Sequence, residues 1–218
     1  SEGFDTSLVL THPERLPGIY AIDVDPFGER SFLYWRENAA ARAMVDLPGM
    51  PHAFADAERA DLLGLSLITC TFLPEDARVR LLLLAAEVRK RGGRVALDGN
   101  FRPRLWRSTE EARRTLDLAI SQADFGFPTL SDEVDLRGAS SARDVQRHWQ
   151  GLGCREVVVK LGVDGCLLPD DTVVAPDHRL SPVDTSGAGD AFNAGYLAAR
   201  CNGASMAEAA RAGHELAG

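Results

Sequence analysis

Apolar positions in this chain fall into two kinds of run. Short continuous runs occur at Asp61 to Thr69 (DLLGLSLIT), Arg94 to Asp98 (RVALD) and Glu156 to Leu161 (EVVVKL), with a shorter one at Asp124 to Phe127. Continuous apolar character over so few residues is expected of strands buried on both faces. Between them lie longer segments with helical spacing. Ala55 to Ala60 reads as a short helix, and Glu75 to Arg91 as a long one with a basic end, stopped by Gly92 and Gly93. Ser108 with Glu111 forms a capping-box pattern that opens a helix to about Gln122. Ser131-Asp132-Glu133 begins a short helix. Ser141 with Asp144 begins another, running to Gly151 and ended near Gly153, and Ser205 with Glu208 caps the last. Strands alternating with helices predict an α/β fold, a mostly parallel sheet flanked by helices.

Two segments depart from that alternation. Gly18 to Val24 (GIYAIDV) and Arg30 to Arg36 (RSFLYWR) read as strands joined by turn residues Asp25, Pro26, Phe27 and Gly28, which predicts a β-hairpin. In the second strand Phe32, Tyr34 and Arg36 share one face, and Leu33 and Trp35 the other. The hairpin is expected to form a small β-lid, residues 18–36, over the carboxyl end of the sheet. Gly165 to Leu168 and Thr172 to Ala175 flank Pro169-Asp170-Asp171 and read as an antiparallel pair.

Composition narrows the function. The chain has 218 residues, enough for one α/β domain, and a formal net charge of −8 that argues against a nucleic-acid surface. The longest apolar run, Leu81 to Ala86, is too short to span a bilayer. No signal-peptide pattern is visible, although the chain does not start with Met. Cys70, Cys154, Cys166 and Cys201 are widely spaced, which points to reduced thiols in a cytoplasmic protein rather than to structural zinc.

The chemistry concentrates in Val183 to Arg200, VDTSGAGDAFNAGYLAAR. Gly187 and Gly189 let backbone approach a ligand, and Ala188, Gly189 and Asp190 would form a first helical turn with free N–H groups. That is an anion site suited to phosphate. Asp190 is placed to cap the helix, hold a metal, or take a proton from a nucleophile. Phe192, Tyr196 and Ala199 form the stripe that would hold the helix down. Two further stretches follow buried strands: Asp98-Gly99-Asn100-Phe101-Arg102 and Lys160-Leu161-Gly162-Val163-Asp164-Gly165. Polar residues just past a strand's carboxyl end are where open α/β sheets bind ligands.

The string DTSGAGD resembles the D-T-x-G-A-G-D signature of the ribokinase-like (PfkB) carbohydrate kinases. Gly18-Ile19-Tyr20, Tyr34-Trp35-Arg36 and Asp98-x-Asn100-x-Arg102 running to Leu105-Trp106 resemble the 2-keto-3-deoxygluconate kinase branch of that family. The resemblance implies a ribokinase-like fold, ATP and Mg²⁺, and phosphorylation of a sugar acid on a primary hydroxyl. It implies Asp190 as catalytic base and Gly187, Ala188 and Gly189 as an anion hole for the transferred phosphoryl group. Tyr20, Tyr34 and Arg36 match substrate contacts, with Arg36 near the carboxylate. Asn100 and Arg102 match residues between substrate and nucleotide phosphates, and Lys160, Gly162, Asp164 and Gly165 match the nucleotide loop. A planar Arg suits a carboxylate independently of any family. The resemblance also admits a homo-oligomer through the lid. The family's amino-terminal strands and its Gly- and Asn-containing substrate motif have no counterpart here. The chain also stops before the family's last helices, so residues 1–218 are expected to be one kinase domain incomplete at both ends. A kinase for a neutral sugar, of fructokinase or ribokinase type, and a non-catalytic nucleotide- or sugar-acid-binding protein are the alternatives.

Overall fold

A computed structural model describes residues 3–24, 30–178 and 186–218. The expected turn at Asp25 to Gly28 and the Val183 to Thr185 start of the glycine-rich segment lie outside the described residues. Strands β3 (Leu62–Ser66), β4 (Arg94–Asp98), β5 (Phe125–Phe127) and β6 (Glu156–Val157) form a parallel sheet in that order. Beyond Val158 the line continues as β7 (Val159–Lys160), which pairs antiparallel with β8 (Cys166–Leu167), itself paired with β9 (Val173–Val174). The expected strand Glu156 to Leu161 is therefore divided between two sheets. Its hydrogen bonds still run on along β5 and past its end. Val158 N–H donates to the Gly126 carbonyl and Lys160 N–H to that of Pro128, both at 2.8 Å.

Alternation along these strands explains the continuous apolar runs. Val95, Leu97, Val157 and Val159 enter one core with helices α3 (Glu75–Lys90), α4 (Thr109–Ser121), α5 (Leu130–Arg137) and α6 (Ala142–Gly151). Ala96, Phe125, Phe127 and Val158 enter a second core with α7 (Ala188–Cys201) and α8 (Met206–Ala217) on the opposite face. Helices α7 and α8 pack backbone to backbone. A Cβ on Gly195 would stand 2.6 Å from the Ala212 carbonyl oxygen, and one on Gly213 2.9 Å from the Phe192 ring.

Several elements differ from the pattern-based expectation. The run Asp61 to Thr69 is strand only to Ser66; α2 (Leu67–Phe72) then begins, because Leu67 and Cys70, three apart, turn inward together. Strand β3 is half-buried rather than buried, being an edge of the sheet among the described residues. The helix expected at Ala55 to Ala60 is α1 (Met50–Ala57), started early by Pro51, whose fixed φ suits a first turn. A 3₁₀ helix at Ala40–Asp46 had no sequence signal. The Ser108 cap forms, its hydroxyl accepting from Glu111 N–H at 3.1 Å. The Glu111 side chain instead pairs with Arg78 at 2.6 Å, which lowers its pKa. The Ser205–Glu208 box is complete.

The hairpin is present as β1 (Ile19–Val24) and β2 (Arg30–Trp35), antiparallel with Tyr20 opposite Tyr34. Their rings lie 6.3 Å apart. The opposite face carries Ile19, Leu33 and Trp35, all exposed. No helix is long and apolar enough to cross a membrane among the described residues.

The four cysteines are free. Burial pushes the thiol of Cys70 up to about 11 and those of Cys154 and Cys166 to about 12, while Cys201 is exposed. A thiol-reactive chromophore should modify one cysteine quickly in the folded protein, since only a thiolate reacts, and all four after denaturation. Cys201→Ser should abolish the fast phase.

Candidate active site

Helix α7 starts where the glycine pattern expected. Gly187 is its N-cap with φ 81°, a left-handed conformation that favours glycine, and a Cβ there would meet nothing within 4 Å. The helical ladder opens with Ala191 N–H donating to the Gly187 carbonyl at 2.8 Å. The N–H groups of Ala188, Gly189 and Asp190 precede that bond and project from the positive end of the helix dipole. Asp190 is exposed in this first turn, while Phe192 and Tyr196 are buried behind it. Phe127 packs edge-on to Tyr196 at 5.5 Å, and the Tyr196 hydroxyl donates to Glu156 at 2.7 Å. The helix is thus anchored to β5 and β6, with a carboxylate and bare backbone at its open end.

The carboxyl ends of β4 and β5 face this turn through a buried polar cluster. Lys160 Nζ donates to Asp98 Oδ1 at 2.8 Å and to Asn193 Oδ1 on α7 at 3.4 Å. A Cβ on Gly189 would lie 3.5 Å from the same ammonium. Lys160 and Asp98 side chains are only 13% and 11% exposed. Lys160, expected to serve the nucleotide loop, is therefore committed inward, beneath the glycine turn.

Past β4, Asn100 takes φ 27° and its buried Oδ1 has no hydrogen-bond partner among the described residues. A strained residue with an unsatisfied buried acceptor marks a place where a ligand would complete the site. Arg102 reaches Asp132 at 3.7 Å, and Asp132 also accepts from Phe101 N–H at 3.1 Å. Burial raises the Asp132 pKa, opposed by Arg102 and the Phe101 hydrogen bond. Asp132 and Asn193 were not among the expected site residues. Asp132 follows a strand's carboxyl end as Asn100 does, so the same rule would have found it; its place in a helix-start pattern concealed it. Asn193 follows Asp190 by three positions, a polar residue beside the apolar stripe.

The loop after β7 separates into two roles. Gly165 has φ 97°, and its Cβ would fall 2.0 Å from the Val174 carbonyl oxygen. Its bareness serves the β8–β9 pairing. Gly162, φ 65°, borders open space, and Asp164 closes a 3₁₀ turn that is exposed. A cleft of about 430 Å³ opens between Leu161–Gly162 and Thr129, Leu130 and Val134 at the start of α5. A second cleft, of about 520 Å³, lies at the amino ends of the strands beside Arg89, Arg94 and Arg155, away from the glycine turn.

The hairpin residues meet the sheet elsewhere. The Arg36 guanidinium stacks 4.1 Å over the Tyr34 ring and lies 5.9 Å from Phe72, at the end of α2. Arg36 is half-buried and has no carboxylate partner among the described residues. Contact with Phe72 places the hairpin base against the segment that follows the carboxyl end of β3.

A family model described as "pfkB family carbohydrate kinase" matches residues 1–218. The chain belongs to this family. It is 39% identical over 221 residues to the 2-dehydro-3-deoxygluconokinase of Dickeya dadantii (strain 3937), covering 98% of this chain and 71% of the relative. It is 40% identical over 219 residues to the Escherichia coli (strain K12) protein of that name, with the same coverages. Among solved structures, a PfkB protein from Polaromonas sp. JS666 superposes with a TM-score of 0.77 at 24% identity, over 93% of this chain and 66% of that one. Aminoimidazole riboside kinase from Salmonella enterica gives 0.70 at 27%, over 85% and 63%. The fold is ribokinase-like, and the chain spans about two thirds of the length of these solved kinases.

The two loop glycines should respond oppositely to substitution. Gly165→Ala should lower stability by at least about 2–3 kcal/mol, because it combines backbone strain with a clash. Gly162→Ala should cost only about 1 kcal/mol. Thermal melts of the two variants test this.

Proposed function

We propose that this protein is an ATP-dependent sugar-acid kinase that phosphorylates 2-keto-3-deoxygluconate to its 6-phosphate. The observation that carries the sugar-acid assignment is Arg36: a half-buried guanidinium framed by aromatic rings, without a carboxylate of its own among the described residues. A desolvated cation on the lid needs an anion, and a sugar acid brings one. Four relatives at 34–40% identity, named 2-dehydro-3-deoxygluconokinase, agree with this choice.

In this reading Tyr20, Tyr34 and Arg36 hold the sugar acid under the hairpin. Asp190, exposed at the start of α7, takes the proton from the attacking hydroxyl. The bare turn Gly187, Ala188 and Gly189 receives the charge that grows on the phosphoryl oxygens, worth about 3–4 kcal/mol per donor in comparable anion holes. Asn100 and Arg102 bind between sugar and phosphates, and the cleft beside Gly162 takes the nucleotide. Asp132, whose carboxylate lies at this end of the sheet, would be a residue to hold a Mg²⁺ brought with ATP, which would neutralise phosphate charge there. The hairpin excludes water, which would otherwise accept the phosphoryl group. Its exposed Ile19, Leu33 and Trp35 face suits pairing with a second copy. Unpaired thiols and ATP as donor fit a cytoplasmic setting.

Asp190→Asn should melt like the wild type and bind ATP within a few-fold, while kcat falls about 10²–10⁴-fold through loss of the proton acceptor. Turnover close to wild type would remove Asp190 from the role of base.

A panel of 2-keto-3-deoxygluconate, fructose and ribose tests the substrate. Arg36→Leu should lower kcat/KM on the sugar acid about 10–100-fold, the loss of a charge-assisted bond of about 1.5–3 kcal/mol, and leave neutral sugars unaffected. Equal losses on all three would make Arg36 a support of the lid only. Preference for fructose or ribose in the wild type would favour a neutral-sugar kinase, and ATP binding without turnover a binding protein.

A further inference from the structure

We propose that Lys160 is a positioning residue for phosphoryl transfer: its ammonium, held between Asp98 and Asn193, fixes the first turn of α7 against the carboxyl end of β4. The inference rests on the kinase reading above. Lys160 lines the cleft beside Gly162, but its ammonium turns away to Asp98 and Asn193, and three parts of the site meet there. Asp98 ends β4 and is followed directly by Gly99 and the strained Asn100. Asn193 lies one helical turn after Asp190 on α7. Lys160 itself ends β7 and leads into Leu161 and Gly162. A shift of the ammonium therefore reaches the candidate base, the anion-hole turn and the segment carrying Asn100 together.

Electrostatics argues that the placement serves more than stability. A cation beneath a helix N-terminus opposes the helix dipole. Asp98 balances it in the free protein, at the desolvation cost of burying both charges. Such pairs are often replaceable by neutral groups without loss of stability. Once a phosphoryl group occupies the turn, the ammonium adds to the field that holds it. A Cβ added at Gly189 would make ordinary van der Waals contact with the ammonium at 3.5 Å, so the cation lies about one methyl group from the backbone of the turn.

Three variants of the full chain separate positioning from stapling. Lys160→Met leaves Asp98 as an unpaired buried carboxylate, so Tm and kcat should both fall. Adding Asp98→Asn removes that charge. In the double variant Tm should return to within a few degrees of wild type while kcat stays down, by up to about a hundredfold, as expected when reacting groups are slightly misplaced. KM for ATP and for the sugar acid should stay within about threefold of wild type, because the ammonium's bonds run to Asp98 and Asn193; a large rise in KM for ATP alone would make Lys160 a nucleotide contact and overturn the inference. Asn193→Ala leaves the ion pair intact and cuts its tie to α7; kcat should fall several-fold with KM unchanged. Recovery of both Tm and kcat in the double variant overturns the inference, as does an unchanged kcat in Asn193→Ala. Absence of wild-type turnover on every sugar tested overturns the kinase reading and this inference together. Wild-type turnover matched by the double variant overturns this inference alone.

Discussion

The constraint on which the rest depends is that the central strands are covered on both faces. Val95 and Leu97 face one core while Ala96 faces the other, and Val157, Val158 and Val159 divide in the same way. The interior positions of β4 and β5 carry no polar side chain. Polar groups are pushed to the strand ends, and the carboxyl end receives Asp98, Asn100, Asp132 and Lys160. Lys160 gets there because the strand does not stop when β6 leaves the parallel sheet. It runs on past β5 and delivers the ammonium under α7 before turning into the antiparallel sheet.

The fold was legible where local signals and burial agree. Helix α3 ends at its paired glycines, α8 starts at a complete capping box, and β4 spans the residues its apolar run marked. The glycine turn and Asp190 were legible because close backbone approach demands a specific residue. The rest was hidden where tertiary contacts overrule the local pattern. Leu67 and Cys70 continue an apolar run that reads as strand, and only the core they enter makes them helix. Glu111 has the spacing of a capping box, and Arg78, thirty-three residues earlier, takes its carboxylate. Lys160 reads as a loop cation next to glycines, and nothing local says that Asp98 and Asn193 will claim it.

The same distinction divides the glycines. Gly187 and Gly162 border open space, so their freedom is available to a ligand. Gly165 and Gly195 are bare because another part of the backbone already occupies the room a side chain would need. Sequence spacing alone cannot tell a glycine emptied for a guest from one emptied for a neighbour.

The Gly195 and Gly213 contacts carry a mechanical consequence. With Gly195 against the Ala212 carbonyl and Gly213 against the Phe192 ring, helices α7 and α8 have no room for an added side chain at either contact. They behave as one slab, pinned to the sheet through Tyr196 and Glu156. In the proposed kinase such a slab would hold Asp190 in place rather than let it advance on a substrate. The two-stranded hairpin, by contrast, belongs to neither larger sheet. Compliance and stiffness then fall to different ends of the chain, and in the proposed kinase the hairpin would bring the acceptor to a fixed anvil.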